Sequence, residues 1–338
     1  MKVALIGVGM VAETHAAALR ASETVTLHGV LGRDSARAKA FANVQGAKLY
    51  SSIQAVADDP SIDFAILATP PNARLDLVRT LIAGRKPILM EKPLERSLIA
   101  ARHVVDVCAR AHVPLGIVFQ HRVRDSAQRL KQMVDAGALG QIAAVDIHVP
   151  WWRPQSYYDA PGRGTLDQDG GGVLITQAIH TLDLALHLAG PVTKVQAFAR
   201  TTSLHKTEVE DFVSAGFDFA SGAVGALTAT TANYPGGTER IVLHGTEGSA
   251  CLEGPKLNVD WRDGRQDSFG ADEGSGGGAD PMAFTHEWHQ SVIEDFAASL
   301  KDQRAPMAPG RDALKVHTLI DAMIRSSDQG RMVEIADA

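Results

Sequence analysis

The sequence predicts an α/β chain in two parts: a doubly wound parallel sheet, then an α+β domain with a large, mostly antiparallel open sheet. Three observations carry that expectation. Short apolar runs such as Val3–Ile6, Phe64–Ala68 and Pro87–Met90 alternate with helical stretches up to Val118, the order that builds parallel sheets. Beyond Gly190-Pro191 the apolar period drops to two, as in half-buried antiparallel strands. The length, 338 residues, favours two domains over one, expected at residues 1–120 and 121–338.

Composition narrows the class. At 45% hydrophobic and 21% charged residues, the chain can bury a large core. A net charge of −6 argues against nucleic acid and against anionic membrane as partners. No apolar run approaches the ~18 residues of a membrane span. Val3–Ile6 runs straight into glycines and is too short for a signal-peptide core, so it reads as a strand. Cys108 and Cys251 are far apart and are expected as thiols in a reducing, cytoplasmic setting. Cysteine and histidine show no metal-ligand spacing, so no metal is expected. The glycine-rich stretch from Gly270 to Asp280 is expected to be a mobile loop.

The first strand, Lys2 to Ile6, runs into Gly7-Val8-Gly9-Met10-Val11-Ala12 and a helix through Arg20. This is a G-x-G-x-x-A loop in the strand–turn–helix setting that binds a dinucleotide, which makes the domain Rossmann-type. Gly7 allows the tight turn, Gly9 lets pyrophosphate approach the main chain, and Ala12 keeps the helix against the strand. The helix N-terminus at Met10 and Val11 supplies N–H donors and a positive dipole end. The second strand, Val25 to Leu31, should end in the ribose discriminator, usually acidic when the cofactor is NAD. This chain has Gly32-Arg33 there. Glycine leaves room, a guanidinium can hold a 2′-phosphate, and Arg37 comes within reach if a helix begins at Asp34-Ser35. NADP is therefore favoured over NAD; Asp34, able to neutralise Arg33, argues the other way.

Phe64–Ala68 ends in Thr69-Pro70-Pro71-Asn72, whose prolines turn the chain at the sheet's carboxyl edge. A helix, Ala73 to Ala83, leads to the strand that stops at Glu91-Lys92-Pro93. Ligands of open α/β sheets bind at the carboxyl ends of strands, so a lysine there is placed for chemistry. Thr69, Pro70, Asn72, Glu91, Lys92 and Gln120, all at strand ends, join the expected cofactor contacts. A helix from Ser97 to Ala111 returns to Leu115–Val118.

In the second half, a helix from Asp125 to Ala136 and a strand from Ile142 to Val149 precede a loop holding Trp151, Trp152, Arg153, Tyr157, Tyr158 and Arg163. Clustered aromatics with arginines suit a sugar, ring faces covering C–H surfaces and guanidinium groups holding oxygens; the same aromatics could simply pack on one another. Asp169-Gly170-Gly171-Gly172 opens a helix expected over Val173–Leu188, on which Thr176, His180 and Asp183 share a face and Gln177 lies one turn before His180. Strands are then expected over Val209–Phe219, Ala223–Thr231, Glu239–His244 and Ser249–Leu252, helices over His286–Leu300 and Asp312–Arg325, and a short strand at Met332–Ile335.

These residues resemble the Gfo/Idh/MocA family of nicotinamide-dependent oxidoreductases over nearly the whole chain. Gly7-x-Gly9-x-x-Ala12 is similar to its dinucleotide loop, and Ala68-Thr69-Pro70 and Glu91-Lys92-Pro93 to its strand-end motifs. Gly170-Gly171-Gly172 with His180 and Asp183 resembles its central helix, and Gly245-Thr246-Glu247-Gly248 its late hairpin. The resemblance implies that Lys92 and His180 flank a reacting carbinol, that the bond before Pro93 is cis, and that the chain forms a homodimer or homotetramer. It implies hydride transfer between nicotinamide and a secondary alcohol of a sugar, sugar acid or cyclitol. Lys92 would stabilise charge on the oxygen and His180 take the hydroxyl proton; Lys92 as the base is the alternative. Arg122, Trp152, Arg153, Tyr157, Thr176, Gln177 and Asp183 are the expected substrate contacts. Two departures bear on the substrate: Thr176 stands where many members carry Asp, and Arg74 where many carry His. Thr176-Gln177 is closer to members acting on C3 of nucleotide-linked amino sugars. A non-catalytic dinucleotide sensor, an NAD-using glycosidase and a structural dimerisation module are the other readings.

Overall fold

The computed structural model describes residues 1–270 and 285–335. The loop expected from Gly270 to Asp280 thus lies, beyond Gly270, outside the described residues. The chain forms two compact units, Met1–Gln120 with Thr285–Leu314 and His121–Phe284 with Lys315–Ala338.

The first unit contains β1 (Lys2–Ile6), α1 (Ala12–Ala21), β2 (Thr26–Leu31), α2 (Ser35–Gln45), β3 (Lys48–Leu49), α3 (Ile53–Ala57), β4 (Phe64–Leu67), α4 (Arg74–Ala83), β5 (Ile88–Met90), α5 (Leu98–Arg110) and β6 (Leu115–Ile117). The strands are all parallel, in the order β3-β2-β1-β4-β5-β6. β1, β4 and β5 are buried on both faces, which is why their sequences are unbroken apolar runs. Strand order reverses between β1 and β4, the switch point where such sheets open a binding crevice. Helix starts follow local chemistry: Asp34 accepts from the N–H groups of Ala36 and Arg37 at 3.0 and 3.1 Å, and Ser52 and Ser97 cap α3 and α5.

The second unit contains α6 (Asp125–Asp135), β7 (Ile142–Pro150), a short α7 (Gln155–Tyr158), α8 (Ile179–Ala189), β8 (Val192–Arg200), β9 (Phe212–Phe219), β10 (Val224–Thr230), β11 (Arg240–Gly245), β12 (Gly248–Glu253), β13 (Lys256–Trp261) and β14 (Gln266–Phe269). After the undescribed stretch come α9 (Glu287–Asp302) in the first unit, α10 (Gly310–Gln329), which runs from the first unit into the second, and β15 (Val333–Glu334). The nine strands run β14-β13-β12-β11-β7-β10-β9-β8-β15, antiparallel except for β10 beside β7. Along β9, Val213, Ala215, Phe217 and Phe219 are buried while Ser214, Gly216 and Asp218 are exposed. That alternation marks a sheet with one covered face, against which α6 and α8 pack.

Two expectations are corrected. Residues 285–314, expected in the second domain, pack with the first. β6 is an edge strand, and this segment covers it. Phe296 meets Phe64 edge-on with ring centroids 5.2 Å apart, and the Ile117 N–H donates to the Ala308 carbonyl at 2.8 Å. The helix expected over Val173–Leu188 is not uniform either: Leu174–Ala178 is a π-helical turn that precedes α8. Thr176 lies within that π turn and His180 in the first turn of α8.

Candidate active site

Within the first unit, Gly7 and Gly9 differ in what demands glycine. Gly7 has φ +106°, and a Cβ there would lie 2.6 Å from the Ala68 carbonyl oxygen. A Cβ at Gly9 would meet nothing within 4 Å. The chain's own packing therefore does not require Gly9, whereas a ligand approaching the main chain would. Thr69 Oγ1 and Gln120 Oε1 are buried at the ends of β4 and β6, with no hydrogen-bond partner among the described residues. Pro70 and Asn72 are exposed beside them, as is Met10 at the start of α1. Open space at a glycine loop and unfilled polar atoms at strand ends fit a dinucleotide. Gly32 has an internal reason instead: a Cβ there would sit 2.9 Å from both Val8 Cγ2 and Ala38 Cβ. Arg33 and Arg37 are exposed.

The Lys92–Pro93 bond is cis. Lys92 itself is half-buried, and the residues around it are anchored from two sides. Arg74, 2% exposed, donates from Nε and Nη2 to the Thr69 carbonyl at 3.0 and 2.7 Å, and from Nη1 to the carbonyls of Glu91 and Pro93. Burial lowers the Arg74 pKa to about 10, against the pull of Glu91 and Glu95. The Glu91 carboxylate turns to His15 of α1 (Nε2–Oε1 2.9 Å) and His289 of α9 (3.5 Å). Burial alone would raise Glu91, but hydrogen bonds from these two histidines outweigh it and hold the carboxyl well below its ordinary value. His15, Glu91 and His289 bring one ligand-type atom each within 4.8 Å of one another. The cluster is better described as hydrogen bonds converging on one carboxylate oxygen. His15 Nδ1 is buried with no partner among the described residues, whereas metal-bound histidines almost always donate from their second nitrogen.

In the second unit the glycine-rich turn is built around Glu210. A Cβ on Gly172 would lie 1.8 Å from the Glu210 carbonyl oxygen, so that close approach demands glycine. The Glu210 carboxylate accepts from the N–H groups of Gly172 (2.9 Å) and Leu174 (3.1 Å), filling donors at the start of the π turn. Burial pushes the Glu210 pKa up, with these N–H bonds opposing. Thr176 Oγ1 donates to the Gly172 carbonyl at 2.6 Å and also contacts Gln177 Oε1, and Gln177 Nε2 donates to the Tyr157 hydroxyl at 3.2 Å. The aromatic loop is thereby docked on the segment leading to His180. Trp152 packs edge-on against Tyr234, and Arg153 lies over the rings of Trp151 and Tyr157. Arg163 lies over Tyr157 and faces Asp169 at 3.5 Å.

His180, 5% exposed, stacks on His121 with ring centroids 5.0 Å apart. Arg122 and Asp183, expected as substrate contacts, form a buried bidentate pair with both N–O distances 2.7 Å. Arg124 pairs with Glu239 at 2.7 Å, and Glu239 also lies 3.9 Å from His121. His121, Arg124, Glu210, Glu239, His15 and His289 were not singled out in the sequence. His15 did carry a signal, an imidazole between Ala12, Ala16 and Leu19 on the inward face of α1. The others are paired over separations that leave no local pattern. The free thiols are Cys108, buried and pushed up to about 12, and half-buried Cys251.

A parallel sheet with this strand order and a glycine loop at its switch point together define a dinucleotide-binding fold of the Rossmann class. Residues 1–119 match the family model described as an oxidoreductase family with an NAD-binding Rossmann fold, and residues 127–251 match the GFO/IDH/MocA C-terminal domain. The chain belongs to the Gfo/Idh/MocA family of oxidoreductases. It is 26% identical to inositol 2-dehydrogenase of Rhizobium meliloti, over 98% of each chain. It is 26% identical to D-apiose dehydrogenase of Rhizobium rhizogenes, over 99% of this chain and 97% of that protein. Among solved structures, the WlbA dehydrogenase from Bordetella pertussis, in complex with NADH and UDP-GlcNAcA, superposes with a TM-score of 0.84. The identity is 26%, over 100% of this chain and 99% of that one.

Proposed function

We propose that this chain is an NAD(P)-dependent dehydrogenase or reductase acting on a secondary alcohol or ketone of a neutral sugar or cyclitol, with Lys92 and His180 as its catalytic pair. The observation that carries the reading is the strand-end lysine, whose flanking main chain is pinned to the Thr69 turn in the unit that holds the glycine loop. A bound nicotinamide dinucleotide supplies the hydride acceptor or donor. In the oxidative direction the Lys92 ammonium stabilises charge developing on the carbinol oxygen, and the His180 imidazole takes the hydroxyl proton. Arg122 and Asp183 hold each other and so keep α8 in place, while Tyr157, Thr176 and Gln177 offer hydroxyl and amide groups to substrate hydroxyls; Trp152 and Arg153 line the loop. Arg122, Arg124 and Arg163 each face a carboxylate, which supports a neutral substrate over a sugar acid. The names of the inositol and apiose relatives agree with that choice, and acting on C3 of a nucleotide-linked sugar is not favoured.

NADP is favoured over NAD on the strength of Arg33 and Arg37 alone, because Gly32 is explained by packing and the Asp34 carboxylate caps α2. A relative from Haloferax volcanii, 26% identical, is named D-xylose 1-dehydrogenase (NADP(+)) 2. The free thiols support a cytoplasmic setting. Exposed Phe198 and Val224 on the sheet support a homo-oligomer. Among the described residues no helix is long and apolar enough to cross a membrane.

The test is an initial-rate panel with NAD or NADP against myo-inositol, D-apiose, D-xylose and levoglucosan, with D-glucuronate and a nucleotide-linked sugar acid as anionic arms. Reduction of the dinucleotide by a neutral member, faster with NADP, is expected. Turnover confined to the anionic arms contradicts the substrate reading. Sugar release without net reduction, or dinucleotide binding without any turnover, contradicts the dehydrogenase reading.

A further inference from the structure

Arg74 opens α4 and is among the largest fully buried side chains in the protein. Its guanidinium donates to three main-chain carbonyls, Thr69 through Nε and Nη2, and Glu91 and Pro93 through Nη1. Although Glu91 and Glu95 favour the charge, these hydrogen-bond acceptors are neutral carbonyls, and an apolar side chain of similar volume would avoid the desolvation cost. What the arrangement supplies is geometry. Thr69 follows β4, and Glu91 and Pro93 are the two neighbours of Lys92 after β5.

The last ladder bond of β5 is the Glu91 N–H to the Leu67 carbonyl at 2.9 Å. Pro93, two residues on, has no N–H to give, and its carbonyl is held by Arg74 Nη1. The planar fork of an arginine can reach three acceptors at fixed angles, and a lysine cannot. The side chain of Glu91 is held separately, by His15 and His289. The residue before Lys92 is therefore fixed in both main chain and side chain, and the residue after it in main chain.

We propose that Arg74 is a positioning residue: by tying the backbone on both sides of Lys92 to the Thr69 turn, it sets where the ammonium group is presented. This rests on Lys92 being the catalytic cation proposed above.

The experiment compares Arg74→Met, Arg74→Lys and Lys92→Met in the full chain. Dinucleotide affinity is read by NADPH and NADH fluorescence. Single-turnover hydride transfer and steady-state kcat are measured with the fastest panel substrate and with the same substrate deuterated at the carbinol. For Arg74→Met the transfer rate is expected to fall about 100-fold, the scale of a misplaced catalytic group. Dinucleotide affinity should stay within about threefold, and the isotope effect on kcat should rise as hydride transfer becomes limiting. Arg74→Lys should fall between the two. If Arg74→Met does not fold, Arg74→Lys decides by the same readings. A rate within about threefold of wild type, or a loss that tracks only the folded fraction with an unchanged isotope effect, overturns the proposal. Lys92→Met keeps the two claims apart. Near-normal transfer by that variant sinks the catalytic reading itself, whereas an inactive Lys92→Met beside normal Arg74 variants sinks only the positioning role.

Discussion

Removing Asp183 tests how the second unit holds α8. Its carboxylate accepts from Arg122 Nε and Nη2 at 2.7 Å each, and the two side chains are only 3% and 2% exposed. Breaking a buried pair by deleting one partner costs about 3–5 kcal/mol. Coulomb's law at ~4 Å with an effective dielectric of ~20 gives about 4 kcal/mol, the same scale. Asp183→Ala and Arg122→Met should therefore each destabilise the second unit by about 3–5 kcal/mol. The double variant Arg122→Met/Asp183→Leu should recover most of that, because neither member of this pair is then left buried without the other. Urea unfolding followed by tryptophan emission is the assay, since Trp151, Trp152 and Trp261 lie in the second unit and only Trp288 in the first. Single variants costing less than about 1 kcal/mol, the value of an exposed pair, would refute the reasoning. So would a double variant as unstable as the worse single one.

Two further outcomes follow from the first unit. Gly9→Ala should leave stability within about 0.5 kcal/mol of wild type, because its Cβ meets nothing within 4 Å, yet weaken NADPH binding at least about tenfold in a fluorescence titration. Unchanged affinity would remove the glycine loop from the dinucleotide site. Acidification should also destabilise this unit in two steps. Burial, with the nearby charges of His15 and Lys92, lowers the His289 pKa despite Glu91, so stability is complete above the unfolded histidine value of about 6.5 and is lost as pH falls below it. Glu91 is depressed too, so its contribution is complete above the unfolded carboxylate value of about 4.3 and is lost at lower pH. His289→Gln should flatten the fall in melting temperature between about pH 7 and 5. An unaltered slope would show that this imidazole does not titrate with unfolding.

Elements whose chemistry is local were legible in the sequence. Gly7 to Ala12 between a strand and a helix, and Glu91-Lys92-Pro93 after an apolar run, each state their place without help from distant residues. Asp34 and Ser97 announced helix starts in the same way. β3 is two residues long and has no periodicity to read. The π turn hides in Leu174–Ala178, because Thr176 and Gln177 keep a spacing to His180 and Asp183 that an α-helix would also give. The cover over β6 comes from residues around Phe296 and Ala308, and the Arg122–Asp183 pair spans 61 positions; neither leaves a local trace. Arg74 was visible only as a departure from family pattern, because its three carbonyl acceptors are main-chain atoms.

The central claim is that a strand-end ammonium drives hydride transfer on a neutral polyol. The most direct measurement is single-turnover reduction of NADP or NAD by Lys92→Met with the best panel substrate, alongside that variant's NADPH and NADH affinity. The account predicts intact dinucleotide binding with transfer reduced by at least about 1,000-fold, the scale of losing a preorganised charge at the developing alkoxide. Transfer at a near-normal rate, or loss of dinucleotide binding in step with loss of transfer, would contradict it.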